Sequence, residues 1–150
     1  MPLSPRAQLD RFIAKYSPAT GAEGRRVLTK VRRLVPGAIE LVYDNYNGLV
    51  VGFCPSERPS EAVLSVLFMP RWITLCFLQN GPRLPDPEGL LRGGGNRVRH
   101  IRLGGAGDVD KPAVRTLISE ALARAPVPID PKARRRLVIR SISAKQRPRR

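Results

Sequence analysis

Aromatic residues are scarce in this 150-residue chain: one Trp, three Tyr and four Phe, or 5% of the total. A surface that stacks successive nucleic-acid bases on aromatic rings is therefore not indicated. Histidine occurs once, at His100. Cysteine occurs twice, at Cys54 and Cys76, with no CxxC pair. These three residues lack the spacing of a metal site, and two cysteines do not make a disulfide framework, so buried free thiols are expected. No apolar run approaches the ~18 residues that a transmembrane helix needs. The opening Met1-Pro2-Leu3-Ser4-Pro5-Arg6 has no apolar signal-peptide core, which points to a cytoplasmic protein. Acidic residues are also few: 12 Asp+Glu stand against 27 Lys+Arg, a formal net charge of +15. Residues 131–150 hold nine basic side chains and no acid, so they contribute +9, and residues 1–130 a net +6.

What is present suits one folded domain. The chain has the length for a real core, and 42% of its residues are hydrophobic. Its field favours polyanions such as nucleic acid, an anionic membrane surface or an acidic protein. An arginine-rich soluble protein without such a partner would carry the same charge.

Ser4-Pro5 has the form of a helix start, followed by Leu9, Phe12, Ile13 and Tyr16 at helical spacing and a stop at Ser17-Pro18. Thr20-Gly21-Ala22-Glu23 resembles a capping box opening a second helix. That helix runs to Pro36-Gly37, with Val27, Leu28, Val31, Leu34 and Val35 on one face. Strands are predicted at 39–46 and 49–53 around Asn47-Gly48, a strong hairpin signal, and at 62–69 and 72–78 around Pro70-Arg71. The second pair is apolar at nearly every position, so both faces of the sheet are expected to be covered there, leaving room for a homodimer through the sheet. A strand at 98–103, a helix from Pro112 to Ala125 and an edge strand at 137–142 complete the order. The end, 143–150, reads as mobile. The fold class is α+β: a two-layer arrangement with an antiparallel sheet of five to six strands, two N-terminal helices and one C-terminal helix. Residues 1–126 form the domain and 127–150 a basic extension.

The most distinctive stretch is Leu84-Pro85-Asp86-Pro87-Glu88-Gly89-Leu90-Leu91-Arg92-Gly93-Gly94-Gly95-Asn96-Arg97-Val98-Arg99-His100-Ile101-Arg102-Leu103. It resembles the signature region of the YdhG-like domain family, a domain of unknown function. Pro70-Arg71-Trp72-Ile73-Thr74-Leu75, Tyr43-Asp44-Asn45-Tyr46-Asn47 and the Asp110-x-Pro112 helix are similar to flanking family elements, so the resemblance covers roughly residues 8–125. It implies a small α+β domain. The family is sometimes likened to frataxin, which implies iron handling. Frataxin-type iron surfaces are acidic, whereas the two N-terminal helices here carry eight basic residues against Asp10 and Glu23.

The glycines of this stretch free backbone N–H groups to converge, and its arginines supply charged donors. Arg92, Gly93, Gly94, Gly95, Arg97, Arg99 and His100, with Tyr43, Asp44 and Tyr46 from the hairpin, are therefore the candidate anion site. A turn requiring positive φ would use the same glycines. No Gly-Lys-Ser/Thr follows, and the glycines precede a strand, so neither familiar nucleotide loop applies. His100 lacks a visible orienting acid, although Asp44, Asp86 or Glu88 could supply one. Lys145, Arg147, Arg149 and Arg150 form a candidate arm for nucleic acid or another polyanion, or a solvated tail. The reading is a non-enzymatic binding module without cofactor or metal. The alternatives are a frataxin-like iron protein and an enzyme on a small phosphorylated or carboxylated substrate using His100 and Asp44.

Overall fold

The computed structural model describes residues 2–150. It is an α+β fold of three helices, α1 (Pro5–Ala14), α2 (Pro18–Leu34) and α3 (Pro112–Ala123), and six strands. The strands are β1 (Ile39–Asp44), β2 (Leu49–Cys54), β3 (Leu64–Phe68), β4 (Ile73–Phe77), β5 (Arg99–Leu103) and β6 (Arg136–Ile142). They form one sheet in the order β5-β4-β3-β2-β1-β6. Neighbours from β1 to β5 are antiparallel, and short turns join β1 to β2 and β3 to β4. β6 arrives after α3 and lies parallel to β1, with a register shift between Val42 and Tyr43.

Two Ser-Pro pairs start the first two helices. The Ser4 hydroxyl accepts from the Ala7 amide and the Ser17 hydroxyl from the Thr20 amide, each with proline at the first helical position. α2 thus begins at Ser17-Pro18, before Thr20-Gly21-Ala22-Glu23. Ser17 caps a new helix rather than closing the old one, and Glu23 instead accepts from the Ala106 amide.

The core gathers Leu9, Phe12 and Ile13 of α1, Val27, Leu28 and Val31 of α2, and Val114, Leu117 and Ile118 of α3. They pack with alternate strand residues such as Val42, Val51, Phe53, Val66, Phe68, Leu75, Phe77 and Ile101. A second cluster joins Leu41, Cys54 and Ala62 with half-buried Ile39, Tyr43, Leu78 and Val138, and no helical residue belongs to it. On that face the described residues place no helix, although Leu41, Cys54, Ser65 and Thr74 are buried. The apolar look of β3 and β4 comes instead from small and half-buried side chains: Ser65, Leu67, Thr74 and Cys76 are the residues that alternate with the core set.

β1 places two carboxylates on the helix side, four residues apart, and both are fully buried. Glu40 takes a bidentate pair from Arg32 of α2, with Nη2 at 2.8 Å, and Arg135 lies 3.5 Å away just before β6. Asp44 accepts from Lys15 at 2.6 Å and from Arg149 at 2.9 Å. Each acid therefore joins a helix to one end of the C-terminal extension. The segment after β6, expected to be mobile, is docked. The Ser143 amide donates to the Asp44 carbonyl, the Arg147 amide to the Tyr46 carbonyl, and Gln146 bridges Lys15 and the Asp44 carbonyl. No helix is long and apolar enough to cross a membrane among the described residues.

Candidate functional site

The glycine–arginine segment connects β4 to β5 and folds largely onto itself. Asp86 starts it, its carboxylate accepting from the Leu90 and Leu91 amides at 2.8 and 2.9 Å. Residue 92 then pairs with His100 in an isolated antiparallel bridge, so the β5 edge is partly covered. Gly93 has φ +118°, a conformation strained for any side chain, whereas Gly94 and Gly95 stand in open space. Two of the predicted anion-binding arginines donate inward. Arg92 binds the Gly89 carbonyl at 2.6 Å, and Arg99 binds the Val98 carbonyl at 2.8 Å and that of Gly95. His100 lies beside Cys76 on the face that carries the second cluster.

Arg97 behaves differently. Its guanidinium is held by the side-chain oxygen of Gln79, at 2.6 Å to Nη2 and 3.0 Å to Nε. Gln79 is buried, and its amide nitrogen donates to the Ser60 and Ala62 carbonyls, so the hydrogen bonding of this buried amide is satisfied. The Gly81 amide is stitched to the Arg97 carbonyl at 2.8 Å. A Cβ on Gly81 would sit 2.8 Å from that oxygen, so close passage of the two loop arms requires glycine there. This stitching opens a cleft of about 400 Å³ lined by Gln79, Asn80, Pro82, Arg83, Asn96, Arg97 and Pro126. No carboxylate lines it. Arg83 is exposed and in no ion pair among the described residues. Asn80 holds φ +53° and donates to the Arg124 carbonyl, which ties the end of α3 to the cleft.

Of the predicted anion residues, the structure thus brings only Arg97 to this cleft. Sequence reasoning missed Gln79, Asn80 and Arg83. The signal available for them was the turn pattern Asn80-Gly81-Pro82, which brings residue 83 back beside 97.

Tyr43, Asp44 and Tyr46 lie elsewhere. β1 is separated from β5 by β2, β3 and β4, so the hairpin residues do not meet the glycine loop. Burial alone would raise the Asp44 pKa, but donors from Lys15, Gln146 and Arg149 outweigh it and hold the carboxyl below its ordinary range. Asp44 is a structural anchor, remote from His100, and the Asp86 carboxylate is engaged by its own turn. The Tyr43 hydroxyl is buried and makes no hydrogen bond of ordinary geometry; burial raises its pKa, and the nearby Arg140 opposes that rise. Tyr46 is 49% exposed at the hairpin tip, where the Arg147 guanidinium lies over its ring.

The candidate polyanion arm divides. Lys145, Arg147 and Arg150 are exposed. Arg149 is buried, bound to Asp44 and to the Asn45 and Tyr46 carbonyls, so its charge is not free for phosphate. No group of three or more His, Cys, Asp or Glu side chains among the described residues is placed to hold a metal ion. The two cysteines are free, and burial pushes the Cys54 thiol up to about 12 and raises that of Cys76. No family model matches the chain, and no curated protein or solved structure matches it either.

Proposed function

We propose that this chain is a non-enzymatic binding module for a small anion, seated in the cleft between Arg83, Asn96 and Arg97. The observation that carries the reading is the pre-set Arg97 guanidinium. Gln79 and the Ser60 carbonyl fix its Nε and Nη2, and Nη1 makes no hydrogen bond among the described residues. Little side-chain freedom is left for a ligand to remove. The volume is at the small end of ligand pockets, which suits a phosphate or carboxylate group with a compact body. The net charge of +15 steers anions toward any such site, more so at low ionic strength.

The YdhG-like assignment is part of this proposal and rests on residues 84–103, as support for fold rather than ligand. A polyanion contact through the tail is proposed for Lys145, Arg147 and Arg150 alone. Two free thiols support a cytoplasmic setting.

Titration calorimetry with inorganic phosphate and pyrophosphate tests the cleft. The expected result is saturable binding that weakens at least tenfold in Arg97→Ala and in Arg83→Ala and is unchanged in Arg92→Ala. Absence of saturable binding, or equal affinity in all four proteins, overturns the proposal.

A further inference from the structure

The sheet face opposite the helices has an ordered pattern that the anion cleft does not use. Cross-strand register lines its side chains into rows. One row runs from Arg102 on β5 through Thr74, Leu67, Val50 and Tyr43 to Ser141 on β6, with Arg140 next to Ser141 at the register shift. The adjacent row runs His100, Cys76, Ser65, Gly52, Leu41 and Val138. The first row centres on half-buried Leu67, Val50 and Tyr43, flanked by buried Thr74 and exposed Ser141, with an exposed arginine near each end. The second lies lower, because Gly52, Ser65 and Cys76 are small, and its Leu41, Gly52 and Ser65 are buried.

The two terminal arginines are in no ion pair among the described residues. Arg102 stacks on the ring of Trp72, 3.9 Å from its centroid, which holds the charge at the rim. Glu57 and Glu61, between β2 and β3, are engaged by Arg136 and by Ser56.

We propose that this face docks an acidic amphipathic α-helix of a protein partner, laid across the strands with its apolar stripe over Leu67, Val50 and Tyr43 and a carboxylate at each end. The spacing suits this occupant. Five inter-strand steps of ~4.8 Å separate Arg102 from the Ser141–Arg140 end, about 24 Å. A helix covers that distance in about 16 residues. A sheet face offers no free backbone groups, so a helix with side-chain anchors fits it where an added strand does not. A second copy stacked face to face with its strands aligned would set Arg102 and Arg140 against like charges. A nucleic acid is disfavoured because the first row offers one aromatic ring, Tyr43, for stacking, and Trp72 is already covered by Arg102.

The test uses the full chain and a labelled 20-residue helical peptide with a leucine stripe and glutamates at both ends. Its partner probe is the same peptide with lysines in place of the glutamates. Fluorescence anisotropy should show micromolar binding of the acidic peptide and at least tenfold weaker binding of the lysine peptide. The exposed double variant Arg102→Glu/Arg140→Glu should reverse that preference while its circular dichroism stays native. Leu67→Ala should weaken the acidic peptide severalfold in a protein that still melts cooperatively. No binding of the acidic peptide, or no reversal in the double variant, overturns the proposal. So does a concentration-dependent dimer that loses its association on Leu67→Ala, or single-stranded RNA binding abolished by the double variant.

Discussion

Replacing Arg149 with alanine removes one side chain from the last residues of the chain, yet it should destabilise the whole domain. The guanidinium is 3% exposed and its partner Asp44 is fully buried. Removing one member of a buried pair leaves a charge without its partner, which costs about 3 kcal/mol or more. For a domain of this size each kcal/mol lowers the melting temperature by roughly 2–4 °C, so Arg149→Ala should melt about 6–12 °C below the native protein. Lys15 still reaches Asp44, which places the expectation at the lower end of the buried-pair range. The acid dependence follows from the depressed Asp44 pKa. A depressed carboxylate stabilises fully above its unfolded value of about 3.9 and loses that contribution as pH falls through its folded value. The difference between native and variant should be largest near neutral pH and shrink below about pH 4. It should persist in 0.5 M salt, because a buried pair is poorly screened. Calorimetric melts of the native protein, Arg149→Ala, Asp44→Asn and the double variant would decide the matter. The double variant should be less unstable than the two single effects added, by about 1 kcal/mol or more. A native-like melt for Arg149→Ala, or strict additivity, would refute the buried clamp and return the tail to solvent.

Other regions give simpler expectations. Gly24→Ala places a methyl group into the ring of Phe68, which is fully buried. Overpacking by about 1–3 kcal/mol should outweigh the ~1 kcal/mol gain in helix propensity, so thermal melting should fall by a few degrees rather than rise. Cys54, with its thiol pushed up to about 12, and Cys76, also raised by burial, should both resist Ellman's reagent at pH 8 in native protein. Both should react in guanidinium, and fast native labelling of Cys54 would contradict its burial. Tyr43→Phe removes a buried hydroxyl that has no partner. It should be neutral or stabilising by up to about 1 kcal/mol in urea melts, and a loss of about 2 kcal/mol would show that the hydroxyl bonds its neighbour Arg140.

Local signals were legible in the chain, and distant pairings were not. Ser4-Pro5 marked α1 because capping acts within four residues. Asn47-Gly48 marked the first hairpin because turn geometry is equally local. The same logic applied to Ser17-Pro18 would have started α2 correctly, but the competing Thr20 to Glu23 pattern obscured it, and Glu23 was taken by a backbone amide 83 residues away. The docked tail depends on a contact between residues 44 and 149, and nothing near Arg149 announces its partner. At the cleft, Arg97 stood out within a charged run. Gln79 and Arg83, which complete the cleft, are ordinary polar residues until the loop closes. The second face of the sheet was misread for another reason: Val50, Leu67 and Cys76 read as core although they are half-covered.

The parallel pairing of β1 with β6 also governs the order of assembly. β1 is made early, at residues 39–44, but its outer neighbour arrives at residues 136–142 and its ion-pair partner Arg149 almost last. During synthesis the antiparallel meander and helices can form while one long edge of β1 waits, with unpaired backbone groups and a buried-type acid still exposed. Such an edge is a template for pairing with other chains until it is filled. A prematurely ended chain would therefore keep most of its core and still be a hazard to its neighbours.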